Sequence, residues 1–317
     1  MKFTGYILAA ATTTLSAAPS FAQEVSFSTG PAKTVIEGLI DCGSRSRPSG
    51  VGEITSEDGT VRTVPAATQY QTAPHAPDLY NACAGIEPDG LSDIDLDAIQ
   101  TFDAGGTEAF TAYIFGDNYF ELYVNGQLIA VDSVPFTPFN ASVVKFTAQR
   151  PLNLAIMGVD WEENLGLGSE EGRGSSYYPG DAGLVMQLQD ASGEIIAITD
   201  TDWRAQTFYV SPLQDRDCLV AEGQIRDSSS CSTAAASDGS AFSAAYWDLP
   251  ADWMTADFDD SSWPNAVAYS NETVGVDNKP GYTNFTELFD AADADASFIW
   301  SANLVLDNLV LLRKTIE

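Results

Sequence analysis

The chain has 317 residues, with 45 Asp or Glu, 14 Lys or Arg and one His, giving a formal net charge of −31 at pH 7. Such a surface repels phosphate, which excludes nucleic acid and anionic membranes as partners. The acidity reads first as a solubility device or an adaptation to salt, and in its sharper form as oxygen ligands for divalent cations.

In chain order, residues 1–22 read as a signal peptide. Lys2 supplies a positive start and Tyr6 to Ala18 a moderately apolar run. Ser20-Phe21-Ala22 then places small residues at a cleavage position, so that the mature chain begins at Gln23. Three consecutive threonines, Thr12 to Thr14, argue against an anchor. No other stretch reaches the roughly 18 apolar residues that a membrane span needs. The expected location is secreted, periplasmic or cell-surface. Four cysteines in an exported chain imply disulfides. Three pairings are open, and the one adopted is Cys42–Cys83 with Cys218–Cys231. Residues 23–317 are read as one large β-sandwich domain with a disulfide-pinned loop insertion around 215–245.

Val35 to Ile40 reads as a first strand, and Gly43 to Pro77 as loop with short strands. The lone histidine, His75, lacks a second histidine or a free thiol to share a metal, so it reads as packed or solvated. Gly90 to Gly106 alternates aspartate with Ile and Leu, the pattern of a half-buried or edge strand. Asn125-Gly126 is the strongest hairpin signal, because a type I′ turn needs positive φ at both central residues. In that register Leu122 faces Ile129 and Phe120 faces Val131, with Tyr119, Glu121 and Tyr123 on the other face. Leu152 to Val159, LNLAIMGV, is apolar throughout and reads as a strand buried on both faces. The chain then turns polar at Asp160, Trp161, Glu162 and Glu163, and the glycines from 166 to 180 suggest a long, loose loop. Gly183 to Gln189, a turn at Asp190 to Gly193, and Glu194 to Thr199 form a second hairpin. Asp200 and Asp202 suit a turn cap, Asp259 and Asp260 local backbone bonds, and Trp263 the core. A last strand covers Leu304 to Ile316. No amphipathic helix of useful length appears, and the fold class is all-β, an antiparallel jelly-roll-like sandwich with long loops.

Four stretches together resemble the galactose-binding-domain-like jelly-roll sandwiches, among them the sugar-binding domains attached to family 2 and family 78 glycoside hydrolases. They are FELYVNGQLI (120–129), NLAIMGVDWEENLGLGS (153–169), GLVMQLQDASGEIIAITDTDWRAQ (183–206) and FDDSSWP (258–264). The order departs from those domains, where the FDDSSW-type segment precedes the hairpin, and the catalytic barrel they accompany is absent. The resemblance implies a sandwich and glycan binding, and it carries over no catalytic residue.

Sugar sites combine flat aromatic faces with polar groups. The residues placed on a ligand-binding rim are Asp160, Trp161, Glu162, Glu163, Tyr177 and Tyr178, with Trp247 and Trp253 as further loop aromatics. The leading reading is an exported, non-catalytic protein that binds extracellular glycans or cell-surface polysaccharide. One rival is a calcium-binding structural protein with Asp160 and Glu162 as ligands; copper is a weaker form of it, since one histidine ligates copper poorly. The other rival is a small glycoside hydrolase using the same two acids, which are closer in sequence than carboxyls that straddle a scissile bond normally are.

Overall fold

The computed structural model describes Met1 and residues 23–43, 50–63, 69–135, 139–160, 164, 166–171, 177–234, 239–292 and 294–317. The leader reading, apart from Met1, lies outside these residues, as do Trp161, Glu162 and Glu163.

Two large sheets, antiparallel but for one short parallel strand at an edge, make a β-sandwich. The strands of these sheets, in chain order, are β1 (Ser26–Thr29), β2 (Asp78–Asn81), β3 (Glu108–Asp117), β4 (Tyr119–Val124), β5 (Gln127–Val131), β6 (Asn140–Ala148), β7 (Leu152–Val159), β8 (Gly183–Asp190), β9 (Arg204–Leu213), β10 (Ser243–Tyr246), β11 (Val267–Tyr269), β12 (Phe298–Trp300) and β13 (Asp307–Ile316). Among the described residues one sheet runs β1-β10-β9-β13-β7-β4-β5 and the other β11-β12-β8-β3-β6-β2. The second sheet also carries Ile195–Ile198 beside β8 and Thr101–Asp103, parallel, beside β6. Successive side chains alternate between faces, so each strand gives one row to the space between the sheets. Phe120, Leu122, Leu154, Ile156, Val310 and Leu312 from the first sheet join Phe110, Ile114, Val144, Phe146 and Met186 from the second in one core. Each such side chain contributes about 1.5–3 kcal/mol on burial. Gly158 is required there: a Cβ on it would lie 2.4 Å from the Trp300 ring, whose Nε1 donates to Asp307 O at 2.6 Å.

Three one-turn helices, α1 (Asn271–Val274), α2 (Pro280–Thr283) and α3 (Thr286–Phe289), lie on the outer face of the second sheet. The Ser270 hydroxyl caps α1 by accepting from Thr273 N at 3.2 Å, and Pro280 opens α2 with its φ already set. Tyr282 anchors the layer edge-on to Phe115, with centroids 5.9 Å apart.

The outer face of the first sheet is covered by loops. Val51, Ile54, Tyr70, Trp253 and Trp263 pack on Tyr119, Tyr123, Met157, Tyr209 and Leu311 to form a second apolar cluster. Both expected disulfides are formed, Cys42–Cys83 and Cys218–Cys231, and the latter holds a small hairpin of Val220–Glu222 and Ile225–Asp227.

Several local expectations are corrected. The Asn125-Gly126 turn is present with φ of 50° and 83°, but a bulge at Leu122/Tyr123 moves the register so that Leu122 meets Ala130 and Glu121 meets Val131. Tyr119, Glu121 and Tyr123 are not a polar face; loops bury all three. Strand structure begins at Ser26–Thr29 and Lys33–Ile36, earlier than Val35 to Ile40. Gly90 to Gly106 forms two 3-10 turns and only one short strand, because aspartates bind nearby amides: Asp95 accepts from Asp97 N and Ala98 N. Asp259 does bond locally, to Ser261 N at 3.0 Å, whereas the Asp260 side chain reaches Arg313 at 2.7 Å.

Candidate functional site

β7 ends, and β8 and β13 begin, at one end of the sandwich, where Val159 pairs with Leu309 and Gly183 with Asp117. Ala182 N donates to Leu304 O at 3.0 Å, drawing the start of β8 against the loop before β13.

Over that loop lies a cleft of about 660 Å³ bordered by Tyr178, Asp181, Tyr269, Thr273, Asn303 and Ser229. Tyr178 stands on a two-residue strand, Tyr177–Tyr178, paired with Glu170–Glu171. Tyr269 ends β11 and its hydroxyl donates to Ser301 O at 2.7 Å, which fixes the ring. Burial, reinforced by the charge of Asp307, raises the Tyr269 phenol to about 12, so it is a hydrogen-bonding group and not an anion at neutral pH.

Behind the cleft-lining stretch 302–305 stands Asp307, at the head of β13. Its side chain is fully buried and accepts from the hydroxyls of Ser228 and Ser301 at 2.6 Å each and of Thr207 at 2.7 Å. Burial pushes its pKa up to about 6 while the three hydroxyls draw it down. Asn303 extends the network: Nδ2 donates to Ser228 O at 3.0 Å, and Oδ1 accepts from Val305 N and Leu306 N at 3.0 Å each. One carboxylate thus ties Ser228, Ser301 and Thr207 together, and Asn303 carries the network into the cleft-lining stretch 302–305.

Asp160 is 1% exposed and sits beneath the surface, its N–H bonded to Asn308 O at 2.9 Å. It therefore leaves the exposed rim. Residues 166–169 are buried as well, and the Leu167 carbonyl accepts from the Ser211 hydroxyl, so this part of the glycine-rich segment is tucked against β9 and is no loose loop. Tyr177 and Tyr178 are partly exposed, while Trp247 and Trp253 are 1% and 2% exposed and belong to the outer cluster. His75 packs on Tyr70 with ring centroids 4.5 Å apart. Among the described residues, no group of three or more His, Cys, Asp or Glu could hold a metal ion, and no helix is long and apolar enough to cross a membrane.

The sequence reading missed Tyr269, Thr273, Asn303 and Asp307. Asp307 carried a legible signal: it is the sole charged residue in the run from Phe298 to Leu312. A charge inside an apolar strand must be paired or hydrogen-bonded.

Comparison with family models, with curated proteins and with solved structures finds no match to this chain.

Proposed function

We propose that the chain is an exported, non-catalytic carbohydrate-binding protein, and that the cleft beside Tyr178 and Tyr269 receives the sugar. The observation that carries this reading is the pairing of two tyrosines with exposed polar side chains over a rigid floor. Sugar rings bind through their apolar C–H faces against aromatic rings, and their hydroxyls bind to fixed polar groups nearby. The net charge of −31 favours neutral or amino sugars over sulfated or uronic polymers. Two disulfides are consistent with an oxidising compartment outside the cytoplasm. The burial of Asp160 speaks against the hydrolytic alternative, since an acid that protonates a glycosidic bond must reach it.

A glycan array followed by titration calorimetry tests the reading. Binding to neutral or amino glycans is expected, and Tyr178→Ala should weaken it about tenfold, the loss of one aromatic contact near 1.4 kcal/mol. Absence of binding to every glycan, or binding unchanged in Tyr178→Ala, overturns it.

A further inference from the structure

At the same end of the sandwich, a second polar group lies between the sheets and away from the cleft. Asp132, just past β5, is 1% exposed. Its Oδ1 accepts from Val134 N at 3.0 Å, and its Oδ2 meets no donor. Asn140, at the start of β6, is 2% exposed, and its Oδ1 is likewise without a partner. The Asn140 Nδ2 is turned to the Ser133 hydroxyl at 3.2 Å, and that hydroxyl donates to Asp78 Oδ1 at 2.5 Å. Ser142 stands two residues along from Asn140, on the same face of β6 and opposite Asp78 in register. Its Oγ is fully buried and has no partner either.

Three buried oxygens without donors on three adjacent side chains are costly, since each forfeits its hydration. A buried carboxylate adds the larger cost of an unpaired charge. No lysine or arginine pairs with Asp132 among the described residues, and Asp78 is a second negative group acting on it. What the arrangement lacks is positive charge with several oxygen-coordinating positions and no need for hydrogen-bond direction. That is the description of a hard divalent cation; calcium takes 6–8 oxygens at about 2.3–2.6 Å and tolerates neutral ligands among them.

We propose that Asp132 and Asp78, with the amide oxygen of Asn140, bind one calcium ion that ties β2, β5 and β6 together at this end of the sandwich. The Ser142 hydroxyl and water complete the coordination. With only two carboxylates, the affinity is that of a site dominated by neutral oxygens and falls below that of sites with four acids.

The full chain, stripped with EDTA and dialysed, would be titrated with calcium alone by calorimetry and thermal melting. One ion per chain is expected, with the melting temperature rising roughly 5 °C at one hundred times Kd. Magnesium, which demands a tighter octahedron, should give a smaller rise. Asp132→Asn should abolish the calcium response and Asp160→Asn should keep it. Should Asp132→Asn fail to fold, Asp78→Asn, at a half-exposed position, should weaken binding at least tenfold. Absence of heat and of any melting shift up to millimolar calcium overturns the proposal, as does a response that survives in both Asp132→Asn and Asp78→Asn. In that event the Asn140 side chain serves Asp132 only as a hydrogen-bond donor, and the two groups satisfy each other without a metal.

Discussion

The two apolar clusters of this protein flank one sheet and are built on different terms. Between the sheets, strand packs on strand, and the row from Phe120 through Leu122 to Val124 belongs to one large apolar cluster. On the outer face of the same sheet, loops do the covering, and charged groups come in with them. Arg313, 2% exposed, donates to Trp253 O, to Thr255 O at 3.0 Å and to Asp260 at 2.7 Å. Arg226 lies over the rings of Phe208 and Trp247, 4.1 and 4.8 Å from their centroids, and burial lowers its pKa to about 9. Glu121, 1% exposed, accepts from Tyr123 and Tyr119 at 2.9 and 3.2 Å. Paired strands satisfy their backbone within the sheet, whereas covering loops leave carbonyls that need side-chain donors. Arg313 serves as that donor for the carbonyls of Trp253 and Thr255.

The largest expected effect lies in the inner core. Phe120→Ala should cost about 4 kcal/mol, the transfer loss plus the cavity left between two rigid sheets. Denaturant melts that show less than about 2 kcal/mol would mean that the inner layer collapses as readily as the outer one.

Next is Arg313→Ala, at about 3 kcal/mol, because two carbonyls lose their donor and Asp260 loses its partner. It should also speed proteolysis within 253–263, the segment that the guanidinium holds down. Equal loss of stability without faster cleavage would place the effect in the strand and not in the cover.

Glu121 gives the comparison a pH signature. Burial raises its pKa to about 7 against the two tyrosine hydrogen bonds that lower it. The folded state keeps a proton that the unfolded chain releases above its ordinary value of 4.5. The stabilising contribution is therefore full below about pH 4.5, falls away as pH rises to 7, and is gone above that, a swing on the order of 3 kcal/mol. Asp307, raised to about 6, acts with the same sign over a window that closes a unit lower. Glu121→Gln should flatten the melting curve's pH slope between 6 and 7.5 and raise stability at pH 8. An unchanged slope would show that the outer layer admits water to this carboxylate.

The smallest effect is at the hairpin tip, where the two layers touch. A Cβ on Gly126 would lie 3.7 Å from Thr255 Cα, an ordinary contact. The cost of Gly126→Val comes from its φ of 83° and should be about 1 to 2 kcal/mol. A variant that melts like the wild type would mean that the turn relaxes into another type.

How much was legible follows from the range of each signal. The hairpin at Asn125-Gly126, the buried run Leu152–Val159 and the Asp190–Gly193 turn are local: a positive-φ pair, an unbroken apolar stretch and an aspartate binding its own turn declare themselves in a few residues. The bulge that shifts the hairpin register is not local, since it answers to what lies across the sheet. The aspartates of Gly90 to Gly106 mimicked strand alternation while binding adjacent amides. The candidate rim was half legible: Tyr178 was named, while Tyr269, some ninety residues on, joins it only because β11 and β8 flank the short strand β12.

By itself, then, the sequence determined the all-β class, the acidic surface and the strongest turns, because periodicity, charge and backbone preference are properties of short segments. The tertiary structure decided which acids are buried. Asp160 was placed on an exposed binding rim and is sealed against Asn308. Asp132 looked ordinary and lies in the interior. Burial of a carboxylate depends on what other segments lay over it, and its proton or cation affinity follows from that environment, which no window of neighbouring residues contains.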